Sequence, residues 1–294
     1  MNAIWSYRLG MLLVTASAIA WSTAGLFTRL IPLDVWTLLL WRGGFGALGL
    51  LIFMVLHQGR RGLASFADLG VAGWAFVVVG TIGMVCFITS LRLTSVAHTS
   101  IIYATVPLVA AALAWWAMHE KPSTSAMIAS LAALLGVAIM VGLGADGSLA
   151  GDLLAFGMTV CMATIMVIAR RYLGIPMLAA VCLSVLLSAL VAAPFAQWGL
   201  PSGEHVLLLA LFGLVNTALG TALFAIGSRR LPASETALIG ALDAPLAPIW
   251  VLLVFGELPS GTTLVGGAIV FMAILAHMVR GAKQNEGNNT AQVV

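Results

Sequence analysis

Charge is what this sequence has least of. Asp, Glu, Lys and Arg make up 8% of its 294 residues, where a soluble globular domain carries roughly 25%. That shortage excludes a water-soluble fold. Cysteine is scarce too: Cys86, Cys161 and Cys182 each fall inside an apolar run, which reads as packed thiols and not as a disulfide framework or metal centre. No phosphate loop, zinc-spaced His pair or Ser-His-Asp set is present, so neither an enzyme signature nor a cofactor or metal site emerges. Nothing reads as the nucleotide domain of an ATP-driven pump. Among the carboxylates only Asp243 reads as deep in a span, whereas an intramembrane aspartyl protease needs two that face each other. The net charge of +3 gives no ground for a nucleic-acid partner, because the basic residues cluster at the ends of apolar runs.

What the chain does have is apolar length. Hydrophobic residues make up 62% of it, and its mean hydropathy is +1.10. Breaks at charged, Gly or Pro clusters leave ten candidate spans: 9–28, 35–56, 71–91, 96–118, 125–143, 151–169, 176–196, 206–227, 233–255 and 261–279. Runs of about 20 residues match a hydrocarbon core about 30 Å thick, so the expected class is an all-α polytopic membrane protein in the lipid bilayer. A β-barrel would show short alternating segments instead. The first run continues through Trp21 to Leu26, beyond the roughly 7–15 residues of a signal-peptide core.

Basic residues orient this map. On the side of the N-terminus stand Arg8, Arg60, Arg61, Lys121, Arg170, Arg171, Arg229, Arg230, Arg280 and Lys283; the other side has Arg29 and Arg92, and Arg42 lies within a span. The bias predicts an even number of spans with both termini cytoplasmic. Ten spans divide into a first five-helix repeat (1–143), a linker (144–150), a second five-helix repeat (151–280) and a disordered cytoplasmic tail (281–294). Five is odd, so the second repeat enters inverted. Landmarks agree: Glu120 and Glu257 are 137 positions apart, Pro107 and Pro245 are 138 apart, and Gly10-Met11-Leu12-Leu13 rhymes with Gly151-Asp152-Leu153-Leu154. Inverted repeats of this kind place a substrate site near the midplane.

Candidate site residues follow from polarity at depth. Trp21, Ser22, Thr89, Ser90, Tyr103, Met158, Met162, Asn216, Thr217 and Trp250 are the candidate substrate contacts. A single Ser or Thr in a helix more often bonds its own backbone. Asp243 reads as a contact for a substrate amine or as a proton-coupling acid; it reads equally as an ion-pair partner of Arg42, or as a carboxylate bonded to backbone freed by nearby prolines. Arg42 is open to snorkelling, to pairing with Asp243 or to meeting a substrate carboxylate. Pro107 and Pro245 mark helix breaks, which either frame a binding site or kink the helix for packing.

The ten-span pattern resembles the drug/metabolite transporter superfamily, EamA type. The residues that carry the resemblance are Ala18-Ile19-Ala20-Trp21-Ser22, Arg42, the run from Leu93 to Pro107 leading into Glu120-Lys121-Pro122, Gly151-Asp152-Leu153-Leu154-Ala155, Arg170-Arg171, and Pro245 leading into Gly256-Glu257. Within the superfamily the overall run is most like the YddG-type aromatic amino-acid exporters. The resemblance implies a carrier in a bacterial-type inner membrane, a monomer or homodimer, that exports amino acids by alternating access through a central cavity. An exporter of other small metabolites or drug-like cations is the alternative. A non-transporting scaffold is a third reading, and it predicts a solid, apolar interior.

Overall fold

The computed structural model describes residues 3–119, 124–143, 147–197, 199, 201–231, 236, 239–240, 242–273 and 275–276. Glu120, Lys121, Pro122 and the tail 281–294 lie outside them. The described residues fold into helices and contain no strand. In chain order these are α1 (Ala3–Ser22), α2 (Ala24–Leu30), α3 (Val35–Gln58), α4 (Arg60–Ala64), α5 (Gly70–Leu93), α6 (Val96–Ala104), α7 (Val106–Met118), α8 (Thr124–Leu143), α9 (Leu149–Arg171), α10 (Met177–Ala192) and α11 (Gly203–Leu211). A π-helical segment, Phe212–Leu219, then leads into α12 (Gly220–Gly227), followed by α13 (Asp243–Phe255) and α14 (Gly261–Ala273). Among the described residues, seven helical stretches are long and apolar enough to cross a membrane, and three shorter apolar helices, Met127–Ile139, Asp243–Phe255 and Gly261–Ala273, accompany them. The protein is therefore a multi-pass membrane protein. Leu149 and Ala150, expected in the linker, already belong to α9.

Helix starts are set by side chains that satisfy the first backbone N–H groups. Asp34 accepts from the N–H groups of Trp36 and Thr37 at 3.0 Å each. Burial alone would raise the Asp34 carboxyl, but the bonds from Thr37 and Trp36 outweigh it and hold it below the usual carboxylate range. Ser95 caps α6 by accepting from the His98 N–H at 3.1 Å, and Ser148 caps α9 by accepting from Gly151 at 3.1 Å.

Two spans are interrupted where a threonine turns back on the helix. Thr23 Oγ1 donates to the Ala20 carbonyl at 2.6 Å, between α1 and α2. Thr105 Oγ1 does the same to Ile102 at 2.6 Å, between α6 and α7. The break near Pro107 is therefore made at Thr105, and Pro107 sits in the first turn of α7, where a missing N–H costs nothing. Pro245 likewise falls in the first turn of α13, while Pro248 lies within that helix.

The helices of one half pack on those of the other. α1 runs along α12, α3 along α10 and the π segment, α5 along α9, and α6 against α13. Ala129 and Ala133 of α8 meet Val270 of α14. Small residues allow these approaches where lipid supplies no hydrophobic drive. A side chain at Gly213 would bring its Cβ within 2.5 Å of the Arg42 carbonyl oxygen and 2.7 Å of the Gly46 nitrogen. Gly213→Ala must push backbone apart, at an expected cost of about 1–3 kcal/mol. A lowered Tm of the detergent-purified variant is the readout, and an unchanged Tm refutes the prediction.

Candidate functional site

A cavity of about 710 Å³ lies between the two halves. Its inner wall comes from both halves of the sequence: Trp21 and Ser22 of α1, Arg42 of α3, Met84 and Phe87 of α5, Thr99, Ser100 and Tyr103 of α6, Met158 and Met162 of α9, Val181 and Val185 of α10, Asn216 and Thr217 of the π segment, Thr221 and Phe224 of α12, and Asp243 and Ala247 of α13. At one end it runs out past Gln58, Ser65, Pro176, Ser228 and Arg229, the helix ends that carry Arg60, Arg61 and Arg230. The other end is blocked by an apolar cluster containing Ile31, Leu38, Leu39, Ile88, Leu91, Val96, Leu209 and Phe212.

Arg42 is 2% exposed. It does not snorkel, and among the described residues no ion pair joins it to Asp243. Its guanidinium lies 4.7 Å from the centre of the Phe212 ring and donates to Met84 Sδ at 2.9 Å and to Asn216 Oδ1 at 3.4 Å. Among the described residues its Nε finds no hydrogen-bond partner, and neither does Thr217 Oγ1. Asn216 fixes this arrangement from the other side, because its amide donates to the carbonyls of Ala20 at 3.0 Å and Trp21 at 2.8 Å, just before the break in the first span. The break thus supplies acceptors that the π segment uses. Asp243 begins α13, favourably placed at the positive end of the helix dipole. Trp21 and Phe224 pack with ring centres 5.1 Å apart.

Trp21, Ser22, Tyr103, Met158, Met162, Asn216, Thr217, Arg42 and Asp243 all line the cavity. Thr89, Ser90 and Trp250 do not. Thr89 Oγ1 donates to the Val85 carbonyl at 2.7 Å and Ser90 Oγ to that of Phe87 at 2.8 Å, so both hydroxyls are spent on their own helix. Trp250 Nε1 donates to Ser22 Oγ at 2.8 Å and ties α13 to α1. Pro107 and Pro245 stand outside the wall as well.

A second buried carboxylate lies at a span end, in the first turn of α9. Asp152, 5% exposed, meets His98, 1% exposed, at 3.0 Å, in a cluster beyond the blocked end of the cavity. It joins residues 54 positions apart, and no local motif links them. The available signal was an ionisable residue inside the first turn of two different apolar runs, each needing a buried partner.

A bundle of apolar spans around a mostly apolar cavity that holds a few polar groups, Arg42, Asn216 and Asp243 among them, open at one end and sealed at the other, has the build of a membrane transporter. The chain belongs to the EamA-like transporter family, whose model matches residues 8–142 and 149–278. It is 26% identical over 295 residues to the uncharacterized transporter YwfM of Bacillus subtilis (strain 168), covering 93% of this chain and 95% of that one. A solved protein crystal structure matches with a TM-score of 0.61 at 21% identity, over 94% of this chain and 98% of the other. That likeness concerns the fold alone.

Proposed function

We propose that the protein is a secondary transporter of the inner membrane that exports amino acids, aromatic and other neutral ones, as the YddG-type exporters do. One observation carries the reading. The cavity holds a guanidinium and a carboxylate that are not paired with each other, between aromatic and methionine walls. A charge buried without its partner is costly, on the order of several kcal/mol. A zwitterion supplies both partners: its carboxylate meets Arg42 and its ammonium meets Asp243. An aromatic or aliphatic side chain is left for Trp21, Phe224, Met158 and Met162, the last two adaptable enough for a broad range. A phosphate-bearing substrate calls for more cations than Arg42. A scaffold needs no cavity.

In the same reading the chain is ten spans in two inverted halves, 1–143 and 151–280, with both termini cytoplasmic. Two stretches matched by the family model support it, as do the seven long and three shorter apolar helices. The packing supports it too. Exchanging the halves carries the α1–α12 contact onto α5–α9, and returns α3–α10, α6–α13 and α8–α14 to themselves. The mouth of the cavity then faces the cytoplasm, from which an exporter loads. Since one chain builds the whole cavity, a single copy provides a path, whether the protein is a monomer or a homodimer.

Proteoliposomes test this with labelled tryptophan, phenylalanine, threonine and a quaternary amine, with and without a pH gradient. Saturable flux of the amino acids is expected. Flux of the quaternary amine alone moves the assignment to drug-like cations, and no flux of any of the four overturns it.

A further inference from the structure

The cluster around His98 has no part in the cavity wall, yet its buried polar side chains bond one another in a continuous chain. Asp152 Oδ1 accepts from Thr94 Oγ1 at 2.8 Å, and its two oxygens lie 3.0 and 3.2 Å from His98 Nδ1. On the far side of the ring, His98 Nε2 lies 3.1 Å from Thr263 Oγ1, and Thr263 Oγ1 lies 2.9 Å from Ser260 Oγ. Ser148 braces the junction by donating to the Leu93 carbonyl at 2.7 Å. The chain thus bonds α6, α9 and α14, which come from both halves of the sequence. It has the connectivity of a Thr-His-Asp triad, but Thr263 is fully buried, so no substrate reaches its hydroxyl. Gly147 is needed here, because a Cβ on it would stand 2.5 Å from His98 Nδ1.

Its location gives it a different use. His98 is one residue from Thr99 and five from Tyr103, both of which line the cavity on the same helix. The cluster sits at the ends of α5, α6, α9 and α14 that lie away from the mouth, beside the apolar plug. In alternating access this end must open, and α6 must part from α9 and α14. Hydrogen-bonded groups suit such a seam, since water can replace each partner when it opens. Interdigitated apolar side chains have no such substitute.

We propose that the His98–Asp152 pair, with Thr94 and Thr263, is the latch that holds the cavity shut on the side away from its mouth and positions α6 against it. The proposal rests on alternating access but not on the identity of the substrate. The experiment therefore reads sidedness and not flux. Cys86, Cys161 and Cys182 are replaced, and the half-buried cavity residue Ala244 is changed to cysteine as a reporter. A membrane-impermeant maleimide is then applied to right-side-out and inside-out vesicles. With the latch intact, the reporter is expected to react only from the face bearing Arg60 and Arg229. Asp152→Asn, and separately Thr263→Val, which keeps the His98–Asp152 pair but removes the hydroxyl that meets His98 and Ser260, are expected to raise its rate from the opposite face by about fivefold or more, the population change that follows from losing a buried hydrogen bond. Unchanged rates from that face in folded Thr263→Val and Asp152→Asn overturn the latch, as does equal labelling from both faces of the intact protein. If tryptophan flux is absent while sidedness shifts as expected, the substrate assignment fails and the latch stands.

Discussion

Arg42→Met is expected to leave the protein folded, with an equal or higher Tm, while raising KM for amino acids by about 10- to 100-fold. The two halves of this result come from one cause. Arg42 is buried with no ion-pair partner among the described residues, so its desolvation is offset only in part, by Phe212, Met84 and Asn216. Methionine fills a similar volume without charge, and replacing a buried ion by an apolar side chain is often neutral or stabilising. Binding moves the other way. Hydrogen bonds to a charged group are worth about 1.5–3 kcal/mol, and each 1.4 kcal/mol is about tenfold in affinity. A substrate that lacks a carboxylate, such as tryptamine, should lose far less. Tm in detergent and tryptophan flux in proteoliposomes together decide the matter. If both fall in step, the guanidinium is structural; if neither moves, it has no role in binding.

Phe212→Ala is expected to destabilise the protein by about 3–5 kcal/mol, the usual cost of emptying a buried aromatic site. Phe212 is fully buried, stacks on Phe27 with ring centres 5.2 Å apart, and carries the Arg42 guanidinium over its face. It belongs to the plug that blocks one end of the cavity. The loss therefore combines a void, a broken aromatic pair and a freed cation. Thermal unfolding of the purified variant measures it, with Phe212→Leu as the milder control. A drop in Tm no larger than that of Phe212→Leu would show that the plug repacks without the ring.

The charges of the site are legible in the sequence alone, for a simple reason. Lipid has no solvation to offer an ion, so Arg42 and Asp243 stand out in apolar runs by their mere presence. Asn216, Trp21 and Tyr103 were legible on the same ground, as polar or amphiphilic groups at depth. Thr89, Ser90 and Trp250 looked no different in the sequence. Which way a hydroxyl turns, toward the cavity or back to the carbonyl a turn earlier, depends on the face a helix presents, and helices apolar all round carry little periodicity to show it. Pro107 follows directly on the break that Thr105 makes, and Pro107 and Pro245 both sit in first helical turns, where they cost least.

The sequence by itself determined that this chain lives in a membrane and crosses it repeatedly, because hydropathy adds up along the chain whatever the neighbours do. It also determined which few groups pay for being there. Only the tertiary structure decided which of those groups meet. Asp152 found His98 across 54 positions, while Arg42 and Asp243, free to pair by charge, were kept unpaired in one cavity. Contact between distant residues is set by how helices pack, and packing depends on all of the side chains at once.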